Sequence, residues 1–130
     1  MRPRLGIDIA APADRVWHEL VELRCWPRWG PTVRSARLDD GTGRLYAGAT
    51  GSVRTAVGVS LPFEVDGWGE NGQRRWWSWR VAGVEATEHS VTVTGPEACR
   101  LEMSVPWWAP AYLSVIALAL RRIRGRAERG

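Results

Sequence analysis

The sequence predicts an α+β domain, a single antiparallel sheet with helices on one face. Three observations lead there. From Gly51 to Pro106 the chain alternates apolar and polar residues at strand period, interrupted by Gly, Pro and Asn. Apolar residues at helical spacing occur in two places, near the start and at the end. At 130 residues, with 45% hydrophobic and 25% charged residues, the chain makes one domain around one core.

Ile7 and Ile9 alternate with Gly6 and Asp8, a strand over about 4–10. Ala11-Pro12-Ala13-Asp14 turns the chain, and Val16, Trp17, Leu20, Val21 and Leu23 then fall on one helical face. That helix should stop near Pro27, where Trp26-Pro27-Arg28-Trp29-Gly30-Pro31 supplies two prolines and a glycine. Thr32 to Leu38 is a short strand closed by Asp39-Asp40-Gly41. Further strands are expected at about 51–58, 61–69, 73–82, 86–94 and 98–106. A last helix runs from Pro110 to about Arg126, with Pro in its first turn and Arg in its last turns, as helix ends favour. There are no repeats and no linker, so residues 1–130 are a single domain.

Strand pairing can be argued from the faces. Phe63 and Val65 share one face with Leu61, and Trp77 and Trp79 share one with Val81. A three-residue Glu70-Asn71-Gly72 loop, with Gly72 left-handed, would pair Val65 with Trp77 and Phe63 with Trp79. It would also place Asp66 opposite Trp76 and Trp68 opposite Arg74, both outward. In the next hairpin, Val91 opposite Leu101 and Val93 opposite Cys99 leave a loop around Gly95-Pro96-Glu97. His89 then lies on the apolar face beside Met103 and, if the preceding turn is short, beside Trp77 on the other side.

Charge excludes several functions. The net +4 comes entirely from the last ten residues, since residues 1–120 hold thirteen Arg and thirteen acids. No basic stripe crosses the body, which argues against a nucleic-acid partner. All 18 basic residues are Arg, so lysine nucleophiles and Schiff bases are excluded. The Arg, Ala and Gly bias points to a GC-rich bacterial gene. Cys25 and Cys99 have no CxxC spacing and read as small buried hydrophobes. Two distant histidines offer no metal set, and no cofactor motif is present. The opening residues lack the apolar run of a signal peptide, so a cytoplasmic protein is expected.

The run Ile9-Ala-Ala-Pro-Ala-Asp-Arg-Val-Trp17, followed by Trp26-Pro-Arg-Trp-Gly-Pro-Thr-Val33, resembles the opening of the START-like (SRPBCC) superfamily. More narrowly, it resembles the polyketide cyclase/dehydrase and lipid-transport branch. Gly51-Ser-Val-Arg54, Arg74-Arg-Trp-Trp-Ser-Trp79, the strand with His89 and the closing helix follow in the family's order. The resemblance implies a helix-grip fold: a seven-stranded antiparallel sheet curled around a long C-terminal helix over a hydrophobic cavity. In that frame Trp26 and Trp29 would rim the cavity mouth, unless one of them caps the core, while Trp107 and Trp108, with Tyr112, would close the opposite end.

The walls of such a cavity would be Phe63, Val65, Trp77, Trp79, Val91, Leu101, Met103 and Ile116. His89 and Tyr112 would orient the polar end of a ligand. As catalytic groups, His89 comes first and Tyr112 second, with Ser35 and Arg37 available if the second strand bulges. His18, beside Glu19 and Glu22, reads as solvated, and Glu64, Asp66, Arg54, Arg80 and Arg100 as outward-facing. Plain core packing is the competing explanation for Trp77 and Trp79, and a satisfied core histidine that for His89.

Trp107 to Leu120 is uncharged for fourteen residues and is followed by a basic run. At 1.5 Å per residue it spans about 21 Å, short of the ~30 Å of bilayer hydrocarbon. Its outward positions Ala111, Ser114, Leu118 and Gly125 would permit a homodimer or transient contact with a membrane surface. The expected function is binding of a hydrophobic, aromatic or polycyclic small molecule, as carrier or sensor. A cyclase/dehydrase enzyme using His89 is the alternative, and an interaction module with no ligand the third.

Overall fold

The computed structural model describes residues 3–105 and 112–129. In chain order these form β1 (Arg4–Ile9), α1 (Ala13–Val21), a 3-10 turn (Leu23–Cys25), α2 (Trp26–Trp29) and β2 (Val33–Leu38). They continue as β3 (Thr50–Thr55), β4 (Ser60–Glu70), β5 (Arg74–Val81), β6 (Val84–Gly95), β7 (Ala98–Ser104) and α3 (Leu113–Arg129). The strands make one antiparallel sheet in the order β1-β7-β6-β5-β4-β3-β2. This is the expected helix-grip α+β arrangement. Trp107, Trp108, Pro110 and Ala111 lie outside the described residues.

Helix α1 buries Val16, Trp17, Leu20 and Val21, the stripe its spacing predicts. Pro27 does not end a long helix there. It sits in the first turn of the short α2, where a missing backbone N–H removes no helical bond. Glu19 is not solvated: it is 7% exposed, and its carboxylate accepts Nε and Nη2 of Arg126 on α3. Two further bonds tie the end of α3 down. Arg15 Nη1 donates to the Ala127 carbonyl, and the Ala10 amide donates to Glu128 Oε2.

The β4–β5 register differs from the expected one. Phe63 pairs with Val81 and Val65 with Trp79; a bulge at Asp66 follows, and Trp68 then pairs with Trp77. The extra residue reverses the inward and outward alternation, so Trp68 turns inward, its ring edge-on to Trp17 at 5.5 Å. The loop is also tighter than a three-residue turn. Asn71 and Arg74 face each other, Asn71 Oδ1 accepts the amides of Gln73 and Arg74, and Gly72 keeps a negative φ. On the outer face Trp76 lies flat across Gly67 and Gly69, where a Cβ at Gly69 would stand 2.2 Å from the indole nitrogen. The β6–β7 pairs fall as expected: Val91–Leu101, Val93–Cys99 and His89–Met103.

Helix α3 buries Ile116, Ala119, Leu120, Ile123 and Ala127, chiefly against β1, then against α1 and α2, with β7 alongside. Its outward residues Ser114 and Leu118 are exposed and Gly125 is half-buried. Among the described residues no helix is long and apolar enough to cross a membrane. Because α3 favours the β1–β7 side, the concave surface of β3, β4 and β5 is left partly uncovered.

Candidate functional site

Three flat rings stack beneath the helices. Trp26 lies on Trp77 with centroids 5.7 Å apart and planes 12° off parallel. Trp77 lies in turn on His89, at 3.9 Å and 22°. Trp79 and Phe63 meet Trp26 at 5.4 and 5.9 Å, so a box of aromatic side chains encloses its indole. Trp26 is not at the rim of a mouth. It is 2% exposed, its Nε1 donates to the Leu20 carbonyl, and it fills the space between α1 and the sheet. Trp29 is buried as well, with Nε1 bonded to the Glu19 carbonyl. Rigid indoles with one anchoring N–H each pack well under a short α2, which explains why this Pro-rich turn carries them.

A polar chain crosses this apolar layer. Trp79 Nε1 donates to Thr87 Oγ1 at 2.8 Å, and Thr87 Oγ1 lies 3.1 Å from His89 Nε2. A hydroxyl that accepts from Trp79 has its own proton to give to Nε2, an arrangement that suits the tautomer with its proton on Nδ1. Nδ1 and Trp77 Nε1 are buried with no partner that meets hydrogen-bond geometry. Burial pushes the His89 pKa down to about 3, outweighing a backbone group of Trp77 that pulls the other way.

That depression has a sign. Between its ordinary value near 6.5 and about 3, the unfolded chain binds a proton at this position and the native chain does not. Stability therefore rises with pH across this window and is lost on acidification. The loss is about 1.4 kcal/mol per pH unit below 6.5, or roughly 2 kcal/mol between pH 6.5 and pH 5. Urea unfolding at both pH values measures it, and His89→Gln should remove most of the slope; an equal slope in the variant would place the titration elsewhere.

Two adjoining spaces remain on the concave face. An inner hollow of about 50 Å³ is bounded by Trp26, Trp29, Trp77, Trp79, His89, Met103, Tyr112 and Ile116. An outer groove of about 360 Å³ is lined by Val33, Val53, Leu61, Trp79, Val81, Ala86 and Tyr112. Thr32, Val33, Trp79, Thr87 and Tyr112 border both. The inner space holds a water or a single functional group, whereas the outer reaches the lower end of ligand-pocket sizes. Of the residues nominated from sequence, Phe63, Val65, Val91 and Leu101 pack in the core and line neither space. Tyr112 stands at the mouth, 36% exposed, its hydroxyl 2.9 Å from Thr32 Oγ1.

The groove wall on β3 and β6 was not nominated. Val53 alternates correctly with Arg54, and Thr87 shares the face of His89, so the sequence carried a signal at those positions. Strand β2 does bulge between Val33 and Ser35, yet Ala36 and Leu38 take the inner face and Ser35 and Arg37 the outer. Neither reaches the hollow. Among the described residues, no group of three His, Cys, Asp or Glu side chains could hold a metal ion.

Comparison with known proteins fits this geometry. Residues 4–128 match the family described as polyketide cyclase / dehydrase and lipid transport. A search of curated proteins found no match. Among solved structures, a hypothetical protein of Helicobacter pylori shares 11% identity over 97% of this chain and 86% of its own, with a TM-score of 0.75. The di-domain ARO/CYC StfQ of the steffimycin biosynthetic pathway shares 14% identity over 98% of this chain, with a TM-score of 0.67. DynU16, a putative protein in the dynemicin biosynthetic locus, shares 23% over 98%, with a TM-score of 0.58. This chain spans 44% of StfQ and 46% of DynU16, and at such identities the likeness shows the fold alone. With the family match running from the first strand to the end of the last helix, the chain belongs to the polyketide cyclase/dehydrase and lipid transport family.

Proposed function

We propose that the concave face binds a flat hydrophobic small molecule that carries an oxygen acceptor, and that the protein acts as its carrier or sensor. The observation that carries this reading is the apolar groove adjoining a hollow walled by Trp77 and His89, where Trp77 Nε1 is buried with no acceptor. A buried donor without an acceptor costs about 1–3 kcal/mol, which a ligand oxygen in the hollow would relieve. The groove then takes the hydrocarbon body, held by apolar burial and by the faces of Trp79 and Tyr112.

A catalytic reading, cyclisation of a keto chain, is suggested by the ARO/CYC neighbour. Proton abstraction would ask His89 for a basicity near pH 7, which burial has removed. The same neutral imidazole is well suited to donate a hydrogen bond, so binding is the better supported of the two.

The test compares 2-acetylnaphthalene with 2-ethylnaphthalene, matched in shape but not in oxygen, by quenching of tryptophan emission. The ketone should bind about tenfold more tightly, a margin of about 1.4 kcal/mol, and His89→Phe should abolish that margin. Ala86→Trp, which fills the groove, should weaken both. Binding that ignores Ala86→Trp would remove the groove from the mechanism, and equal binding of the two probes would remove the hollow.

A further inference from the structure

The convex face of the sheet, behind the apolar groove, carries a second concavity. Its outward positions alternate between arginine and serine. Ser35 on β2 faces Arg54 on β3, Arg37 faces Ser52, and Ser60 on β4 faces Arg54 from the other side. These residues border a shallow groove of about 670 Å³. Asp39 stands at one end, its Oδ2 accepting the Thr50 hydroxyl.

The arginines here differ from most others in the sheet, although Arg34 at the β2 bulge is likewise exposed and meets no carboxylate among the described residues. Arg4, Arg74, Arg75, Arg80 and Arg100 each meet a carboxylate. Arg37 and Arg54 are exposed and meet none among the described residues. Their cross-strand neighbours are serines, too short to cover a guanidinium and without charge to neutralise it. They occupy diagonal positions of an antiparallel pair, about 7–8 Å apart at Cα, so like charges are held together, with Asp39 the one carboxylate lining the groove and bonded to neither. Long side chains from such positions can converge on one tetrahedral anion, each presenting its planar fork of donors.

The geometry points to a binding site for a phosphoryl oxyanion on this convex face, gripped by Arg37 and Arg54 with the surrounding serine hydroxyls as neutral donors. The site is separated from the hollow by the thickness of the sheet and is independent of any ligand bound there. The same chemistry recognises a soluble phosphate ester or the headgroup of an anionic lipid.

The experiment titrates the ¹⁵N-labelled full chain with pyrophosphate, following the arginine Nε–Hε signals, with ionic strength held constant by chloride. Saturable shifts of Arg37 and Arg54 are expected. In Arg37→Gln/Arg54→Gln the affinity read from backbone amides should fall about tenfold or more, while Arg100→Gln, an outward arginine already paired to Asp8, leaves it unchanged. Both variants alter exposed side chains, and near-UV circular dichroism verifies their fold. Sedimentation with phosphatidylglycerol and phosphatidylcholine vesicles separates the two sources. Loss of phosphatidylglycerol binding in the double variant assigns the site to headgroups, and pyrophosphate binding without sedimentation assigns it to soluble esters. Shifts that follow ionic strength alone, or that persist in the double variant, overturn the site, as does an absence of binding in both arms.

Discussion

Trp26→Ala is expected to lower the unfolding free energy by about 3–5 kcal/mol, the range for truncating a large buried aromatic. The loss has two parts, the transfer of an indole out of an apolar box and the void left among Trp77, Trp79 and Phe63. Collapse of that void is resisted on both sides. Strand β5 cannot move without breaking its pairs with β4 and β6, and α1 is held to α3 through Glu19. The cavity should therefore stay open, and added indole should raise the melting temperature of the variant but not of the parent. A loss below about 1 kcal/mol, or no rescue by indole, would mean that the layer refills and that Trp26 is not its keystone. The same variant informs the ligand site, because removing Trp26 joins its volume to the hollow beside His89.

Arg126→Ala should cost about 2–3 kcal/mol. Glu19 is 7% exposed, and without the guanidinium its carboxylate would stay buried beside α3 with no cation to meet it. Breaking a fully buried pair costs about 3–5 kcal/mol; Arg126 is partly open to solvent, which lowers the figure. The double substitution Glu19→Met/Arg126→Met should return to within about 1 kcal/mol of the parent, since two methionines fill the space without a charge. A double-mutant cycle by urea unfolding reads this coupling. If the two losses simply add, the pair does not hold α1 to α3, and the position of α3 rests on its apolar face and on the bonds at Ala127 and Glu128.

These two sites mark what could and could not be read from the sequence. Strand alternation, with a short turn between β5 and β6, placed His89 between Trp77 and Met103, because the ladders run without interruption through those residues. The β4–β5 register was missed because one extra residue at Asp66 reverses the alternation, and an Asp-Gly step carries no mark that separates a bulge from a plain strand. Trp68 was therefore assigned to the wrong face. The burial of Trp26 stayed only one of two readings for a different reason. Its ring partners Phe63, Trp77 and Trp79 lie 37 to 53 residues away, and a tryptophan beside prolines looks exposed until the sheet is folded beneath it. Glu19 likewise looked like one acid among several on a helix, and its partner is 107 residues distant. Local pattern identifies faces, whereas these placements depend on which distant element covers them.

The two cysteines have a consequence of another kind. Cys99 sits at zero exposure on β7 inside the sheet, and Cys25 lies in the 3-10 turn between α1 and α2. Burial pushes the Cys99 thiol up to about 11, and burial, followed by the nearby Glu19 charge, raises that of Cys25. Neither reacts until its surroundings open. Because one thiol belongs to the sheet and the other to its helical cover, their alkylation rates are two separate clocks on a single chain. One times the parting of the strands, and the other the lifting of the roof above them.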